Sequence, residues 1–272
     1  CQKIRNNPEL LKPIVKITLD SGDRLNNPVS LGIIIKAIAK ITLRTRSPIV
    51  ESTKVFQVLE RNIMKEARNG RFALRSCSDI LWTLAKMNRK SHQLFSIMET
   101  QILESTDEFN PMLIANILWA YSKIGHSAPK LFDVLSDKII EELDIFNSQS
   151  LANTVSAYAK MRHSAPKLFD AISHKAVEII DTFNSRDISS IVYTYAKVGH
   201  SSPELFDVIS HSAIKKLNTF NSQDIVNTVW AYAKVGHSSP ELFDALSQKA
   251  IENIDTFNSQ SIANTVWAYA KG

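Results

Sequence analysis

The sequence predicts an all-α fold, an α-solenoid of stacked helix-turn-helix repeats, and three observations carry that prediction. Phe72, Phe109, Phe146, Phe183, Phe220 and Phe257 stand 37 residues apart without an insertion, and a fixed period of this length marks a repeat array. Phe95, Phe132, Phe169, Phe206 and Phe243 keep the same interval. Within each period two stretches carry apolar residues at helical spacing, while 7 glycines and 9 prolines are too few for a turn-rich β fold. The period yields five full copies and a truncated sixth over 72–272. Residues 26–71 read as a degenerate earlier copy, because "NNPVSLGIIIKAIAKI" resembles "NPMLIANILWAYSKI" and "VFQVLERNIMKEA" resembles "LFDVLSDKIIEEL". Residues 1–25 read as a basic N-terminal segment.

The copy at 220–256 justifies the two helices in turn. Ser222 is the expected N-cap of the first, since a serine hydroxyl can accept an orphan backbone N–H. Ile225, Val229 and Tyr232 then recur at helical spacing, and Gly236 supplies a left-handed stop. Ser239 or Ser238 is expected to cap the second helix, with Pro240 in its first turn, where the missing N–H costs nothing. Leu242, Phe243, Leu246, Ala250 and Ile254 form its apolar stripe. Neither helix is stable alone. Stacking buries both stripes against neighbouring copies and leaves a curved inner face.

An apolar fraction of 44% fits a folded chain. Two cysteines, Cys1 and Cys77, cannot build a disulfide framework. No apolar stretch of about 18 residues predicts a membrane span. The chain begins with Cys, and its sixth copy stops after 16 residues, as expected of a piece of a longer protein.

Numbering each copy from its phenylalanine as position 1 separates two faces of the first helix. At about 100° per residue, positions 6, 10, 13 and 14 cluster and are nearly all apolar or Tyr, which marks the buried face. Positions 4, 8 and 15 fall opposite. Position 15 is lysine in all six copies: Lys86, Lys123, Lys160, Lys197, Lys234 and Lys271. Position 8 is Asp79, Asn116, Asn153, Ser190, Asn227 and Asn264, and position 4 is Arg75, Met112, Gln149, Arg186, Gln223 and Gln260. At the edge lies position 11, with Trp82, Trp119, Ser156, Tyr193, Trp230 and Trp267.

Charge separates in the same way. Positions 1–16 of the copies sum to 8 basic and 3 acidic residues, against 10 basic and 18 acidic at positions 17–37. The first-helix layer is therefore positive and the second-helix layer negative. Residues 1–71 add 14 basic and 6 acidic side chains, including Lys3, Arg5, Lys12, Lys16, Arg44 and Arg46, expected to give non-specific phosphate contact.

Such a face suits single-stranded RNA: phosphates want spaced cations, unpaired bases want a flat ring, and base edges want amides and hydroxyls. The six position-15 lysines are the candidate phosphate ligands. Arg75, Gln149, Asn153, Arg186, Ser190, Gln223, Asn227, Gln260 and Asn264 are the candidate base readers. The variable position 5 (Ser76, Leu113, Ser150, Asp187, Asp224 and Ser261) is expected to join them. Trp119, Tyr193, Trp230 and Trp267 read either as stacking platforms or as packing between adjacent first helices. Asn at position 8 could instead bond to the next repeat or to backbone, the lysines could balance the acidic layer, and Tyr at position 13 reads as core.

The phrase "FNSQDIVNTVWAYAKVGH…SPELFDALSQKAIENI" resembles the octotricopeptide repeats and, more closely, the 37-residue heptatricopeptide repeats. These belong to the group shared with FAST-kinase-like and RAP-domain proteins. The resemblance covers 72–272, with 26–71 as a weaker copy. It lacks the "PPPEW"-like stretch of the octotricopeptide form. It implies RNA work in a mitochondrion or plastid, the former favoured, in processing, stability, translation or the ribosome. RNA, single-stranded or ribosomal, is the expected partner, with ribosomal or other organellar proteins beside it. The alternative is a scaffold subunit of a large assembly such as a mitochondrial ribosome.

No catalytic constellation stands out, so no enzymatic activity, metal or cofactor is expected. His126, His163, His200 and His237 all occupy position 18. They predict a row along the turns with a capping role, not a converging metal site.

Overall fold

The computed structural model describes residues 11–45, 50–70 and 72–271. All regular structure among them is helical, and neighbouring helices pack against each other in a solenoid-like arrangement. The first helices of the copies are α4 (Leu74–Lys86), α6 (Pro111–Ile124), α8 (Ser148–Met161), α10 (Ser185–Val198), α12 (Ser222–Val235) and α14 (Ser259–Lys271). The second helices are α5 (His92–Leu103), α7 (Pro129–Glu141), α9 (Pro166–Glu178), α11 (Pro203–Lys215) and α13 (Pro240–Glu252). Upstream, α2 (Pro28–Thr45) and α3 (Val50–Arg68) lie within the degenerate copy. The segment read only as basic also forms α1 (Leu11–Ser21), which packs on α3. Lys3, Arg5 and Arg46, and the side chains of Lys12 and Arg44, lie outside the described residues.

The chain divides into two compact units, Cys1–Val134 and Leu135–Gly272. Within each, first helices pack on first helices and second on second. In the C-terminal unit α8, α10, α12 and α14 form one layer, and in the N-terminal unit α2, α4 and α6 do. Small buried residues at position 12, Ala157, Thr194, Ala231 and Ala268, let the first helices approach closely.

Burial follows the predicted stripe. Ile225, Val229 and Tyr232 are fully buried, and Ala233 nearly so. Position 13 adds a polar clasp between copies. The hydroxyls of Tyr121, Tyr195, Tyr232 and Tyr269 donate to the backbone carbonyls of Phe95, Phe169, Phe206 and Phe243 at 2.6–2.9 Å. Each phenylalanine ring meets the tyrosine ring at 5.0–5.2 Å. Burial pushes the Tyr195 and Tyr232 phenols well above their ordinary value, with Asp170 and Asp207 adding to the rise. In the second helix α13 Leu242, Leu246 and Ala250 are buried, whereas Ile254, expected in the same stripe, lies beyond the helix end in a 3-10 turn and is 50% exposed.

Two capping expectations are corrected. The N-cap of α12 is Asn221, and Ser222 is the first helical residue. The Asn221 side chain accepts from the Asp224 N–H at 3.0 Å, and the Asp224 carboxylate accepts from the Asn221 N–H at 3.2 Å. This reciprocal pair satisfies two backbone donors and so outcompetes a lone hydroxyl. The Asn110, Asn147, Asn184 and Asn258 side chains likewise accept the N–H three residues on, without the reciprocal bond among the described residues. Asn27 does so in the degenerate copy. Ser239 stands at the N-cap of α13 but makes no side-chain cap bond, so Pro240 in the first turn carries the signal there.

The first helices end where Gly125, Gly199 and Gly236 take φ of 71°, 72° and 68°. In the copy at 146 the same place is held by Arg162, at φ 54°. A side chain in this region costs about 1 kcal/mol relative to glycine. Arg162→Gly is therefore expected to raise the stability of the C-terminal unit by about 1 kcal/mol, measured by urea unfolding.

Candidate nucleic-acid interface

The face left free by packing is the one that carries the lysines. Lys86, Lys123, Lys160, Lys197, Lys234 and Lys271 are all exposed, each in the last turn of its helix. A lysine there is favoured by the negative end of the helix dipole. Among the described residues none of the six meets a carboxylate. Three lysines of the second helices differ in kind. Lys138 pairs with Glu141 and Glu142, Lys175 with Asp144 and Glu178, and Lys249 with Glu252, at 2.8–3.3 Å. Those carboxylates raise the pKa of Lys138 and Lys175 through hydrogen bonds. The lysine row at position 30 is neutralised by its own layer, while the row at position 15 is left to solvent or a ligand.

The aromatic row runs beside the lysines. Trp82 and Trp119 lie 5.9 Å apart, Tyr193 and Trp230 5.0 Å, and Trp230 and Trp267 6.5 Å. The rings are half-buried apart from Trp267, which is 41% exposed. Rings of adjacent copies thus touch within Trp82–Trp119 and along Tyr193–Trp230–Trp267. Lys86 sits 4.4 Å from the centre of the Trp82 ring, Lys197 5.7 Å from Tyr193 and Lys271 5.2 Å from Trp267. Cation and ring are in contact, which holds the ammonium near the surface.

Position 4 is exposed throughout, at Arg75, Gln149, Arg186, Gln223 and Gln260, and Met112 is 56% exposed. At position 8 Asn153 is exposed, while Ser190, Asn227 and Asn264 are half-buried. Asn227 and Asn264 bond neither to the next copy nor to backbone. Their Oδ1 atoms accept from Gln223 and Gln260 Nε2 at 2.8 and 2.9 Å, one turn back on the same helix. In the N-terminal unit Asp79 instead forms an ion pair with Lys36.

Position 5 does not belong to this face. Asp187 and Asp224 are 5% and 4% exposed. Asp224 accepts from Ser189 Oγ at 2.7 Å and Asp187 from Ser148 Oγ at 3.1 Å. Both bonds reach back to the preceding first helix, and Asp224 also completes the capping box. These carboxylates are staples between copies, so the expectation that they read bases is overturned by their burial.

The position-18 histidines lie in the turns. Their backbone N–H groups donate to the carbonyls of Tyr121, Tyr158, Tyr195 and Tyr232 at 3.1–3.2 Å, which closes the first helices. The rings of His200 and His237 bond Asp170 and Asp207 of the preceding second helix at 2.8 and 2.9 Å. His126 instead meets His92 and Ser96, and burial followed by the His92 charge lowers its pKa. Among the described residues no group of His, Cys, Asp and Glu could hold a metal ion, and no helix is long and apolar enough to cross a membrane. Cys77 is buried, and burial pushes its thiol up to about 12.

One cation escaped the sequence reading. Lys40 of α2 is exposed and borders a groove of about 620 Å³ with Lys36, Trp82, Lys86 and Asn116. The alignment of "NNPVSLGIIIKAIAKI" with "NPMLIANILWAYSKI" already places Lys40 at the position of Lys123.

No curated protein matches the chain. Residues 26–272 match the family model described as RNA-editing substrate-binding complex 6 protein. The match spans both the degenerate copy and the regular ones, so the chain belongs to the RNA-editing substrate-binding complex 6 protein family.

Proposed function

We propose that the chain binds single-stranded RNA along its first-helix face, as a non-enzymatic component of an RNA-editing complex. The observation that carries this reading is the contrast between two lysine rows. Lys138, Lys175 and Lys249 of the second helices are paired with carboxylates, whereas the six position-15 lysines of the first helices are exposed and, among the described residues, meet none. An exposed cation row of regular spacing, beside rings and amides, is what a backbone-tracking surface requires. Lys86 and Lys123 in one unit, and Lys160, Lys197, Lys234 and Lys271 in the other, take the phosphates. Arg75, Gln149, Asn153, Arg186, Ser190, Gln223, Asn227, Gln260 and Asn264 face the bases. Trp119, Tyr193, Trp230 and Trp267, beside the lysines, are the rings on which bases would stack. The family description, with its RNA-editing substrate, supports an RNA partner. The likeness to heptatricopeptide repeats supports a location in an organelle, the mitochondrion before the plastid.

A second reading, a scaffold held mainly by protein contacts, is favoured by one observation. Ile17, Val29 and Ile33 of the N-terminal unit are 66%, 63% and 63% exposed. Photo-cross-linking of the full chain to labelled single-stranded RNA separates the two. The RNA reading expects adducts on peptides of α8, α10, α12 and α14. Adducts confined to second helices, or none at low salt, would contradict it.

A further inference from the structure

The reader positions differ between the two units in a way that specifies a ligand. In the N-terminal unit, positions equivalent to 4 and 8 hold Val29 and Ile33 on α2, each 63% exposed, and Met112 stands at position 4 of α6. On α4 the Asp79 carboxylate is already bound by Lys36. Arg75 on α4 and Asn116 on α6 stand there without a polar partner free at the matching position of the same helix. The C-terminal unit carries Gln149 and Asn153 on α8, Arg186 and Ser190 on α10, Gln223 and Asn227 on α12, and Gln260 and Asn264 on α14. Three helices thus present the same two amides, and one presents a guanidinium.

The hydrogen bond within the amide pairs of α12 and α14 decides what remains to offer, and α8 carries the same two residues at the same positions. Gln223 Nε2 donates to Asn227 Oδ1, and Gln260 Nε2 to Asn264 Oδ1. The glutamine carbonyl oxygen is then free to accept, and one glutamine N–H and the asparagine amino group are free to donate. An acceptor beside a donor matches adenine, whose N6 amino group donates and whose N7 accepts. Arg186 offers two parallel N–H donors, which match O6 and N7 of guanine. On an unpaired strand these edges are open to a helical array that reads about one base per repeat.

Resting on the RNA-binding reading above, we propose that the C-terminal unit reads four consecutive purines, adenine at α8, α12 and α14 and guanine at α10. In repeat order the sequence is A-G-A-A, which becomes A-A-G-A if the strand runs the other way. The lysine of each helix holds the phosphate, and the pair at positions 4 and 8 selects the base.

Fluorescence anisotropy with the full chain tests this. Short uridine-flanked RNAs would carry A-G-A-A, A-A-G-A, A-A-A-A, single cytosine replacements of each, or uridine alone. One of the first two is expected to bind about tenfold tighter than its single replacements, the scale of one lost bidentate contact. The double variant Arg186→Gln, Ser190→Asn copies residues that α12 carries at the same positions, so it preserves the fold, which thermal unfolding verifies. It is expected to move the preference to A-A-A-A by a similar factor. Equal affinity for every RNA, a cytosine preference, or an unchanged preference in the double variant would overturn base selection and leave RNA binding standing. Binding of no RNA at low salt would overturn both.

Discussion

Tyr195→Ala is expected to lower the stability of the C-terminal unit by about 4 kcal/mol, within the range for removing a large buried aromatic side chain. Tyr195 is fully buried. Its ring meets that of Phe169 at 5.2 Å, and its hydroxyl donates to the Phe169 carbonyl at 2.6 Å. One substitution therefore opens a cavity and removes the bond that joins α10 to the preceding second helix. Tyr195→Phe isolates the bond and is expected to cost about 1 kcal/mol, the net worth of one buried hydrogen bond. Urea unfolding followed by circular dichroism reads both. A loss below about 1 kcal/mol in the alanine variant would show that stacking does not depend on this clasp.

The same clasp explains how much of the fold was legible. The 37-residue phenylalanine series and the stripe of Ile225, Val229 and Tyr232 required helix pairs packed on their neighbours, and the helices lie there. Position 5 was misjudged because a helical wheel sees one buried side. In the C-terminal unit α10 and α12 each have a first helix on both flanks, and that second flank buries Asp187 and Asp224. The shift of the cap from Ser222 to Asn221 turned on Asp224, three residues on from the asparagine, which was visible but assigned elsewhere. The Gln223–Asn227 pair is legible as an i, i+4 amide couple, and this local partner takes the place of the next repeat and the backbone. The His200–Asp170 and His237–Asp207 bonds join residues 30 apart. Only the parallel recurrence of Asp at position 25, in Asp133, Asp170, Asp207 and Asp244, could have disclosed them. The lysine face was legible in the charge split between layers. Its lack of carboxylate partners was not, because that depends on where the second-helix acids point.

Replacing Lys160, Lys197 and Lys234 together with Gln carries the largest functional effect. All three are exposed, none meets a carboxylate among the described residues, and their helices lie side by side in one unit. Loss of the cations therefore costs little stability and acts on the ligand. For single-stranded RNA each neutralised phosphate contributes about −0.7 to the dependence of log K on log salt. Removing three contacts should weaken binding about 50-fold at physiological salt by the same counterion-release argument.

The direct measurement is the affinity of wild type and triple variant for one single-stranded RNA across a salt series. The account predicts a slope shallower by about two in the variant, with the two affinities converging as salt approaches about 1 M. An unchanged slope, with both proteins folded, would show that the first-helix lysines do not hold the RNA backbone.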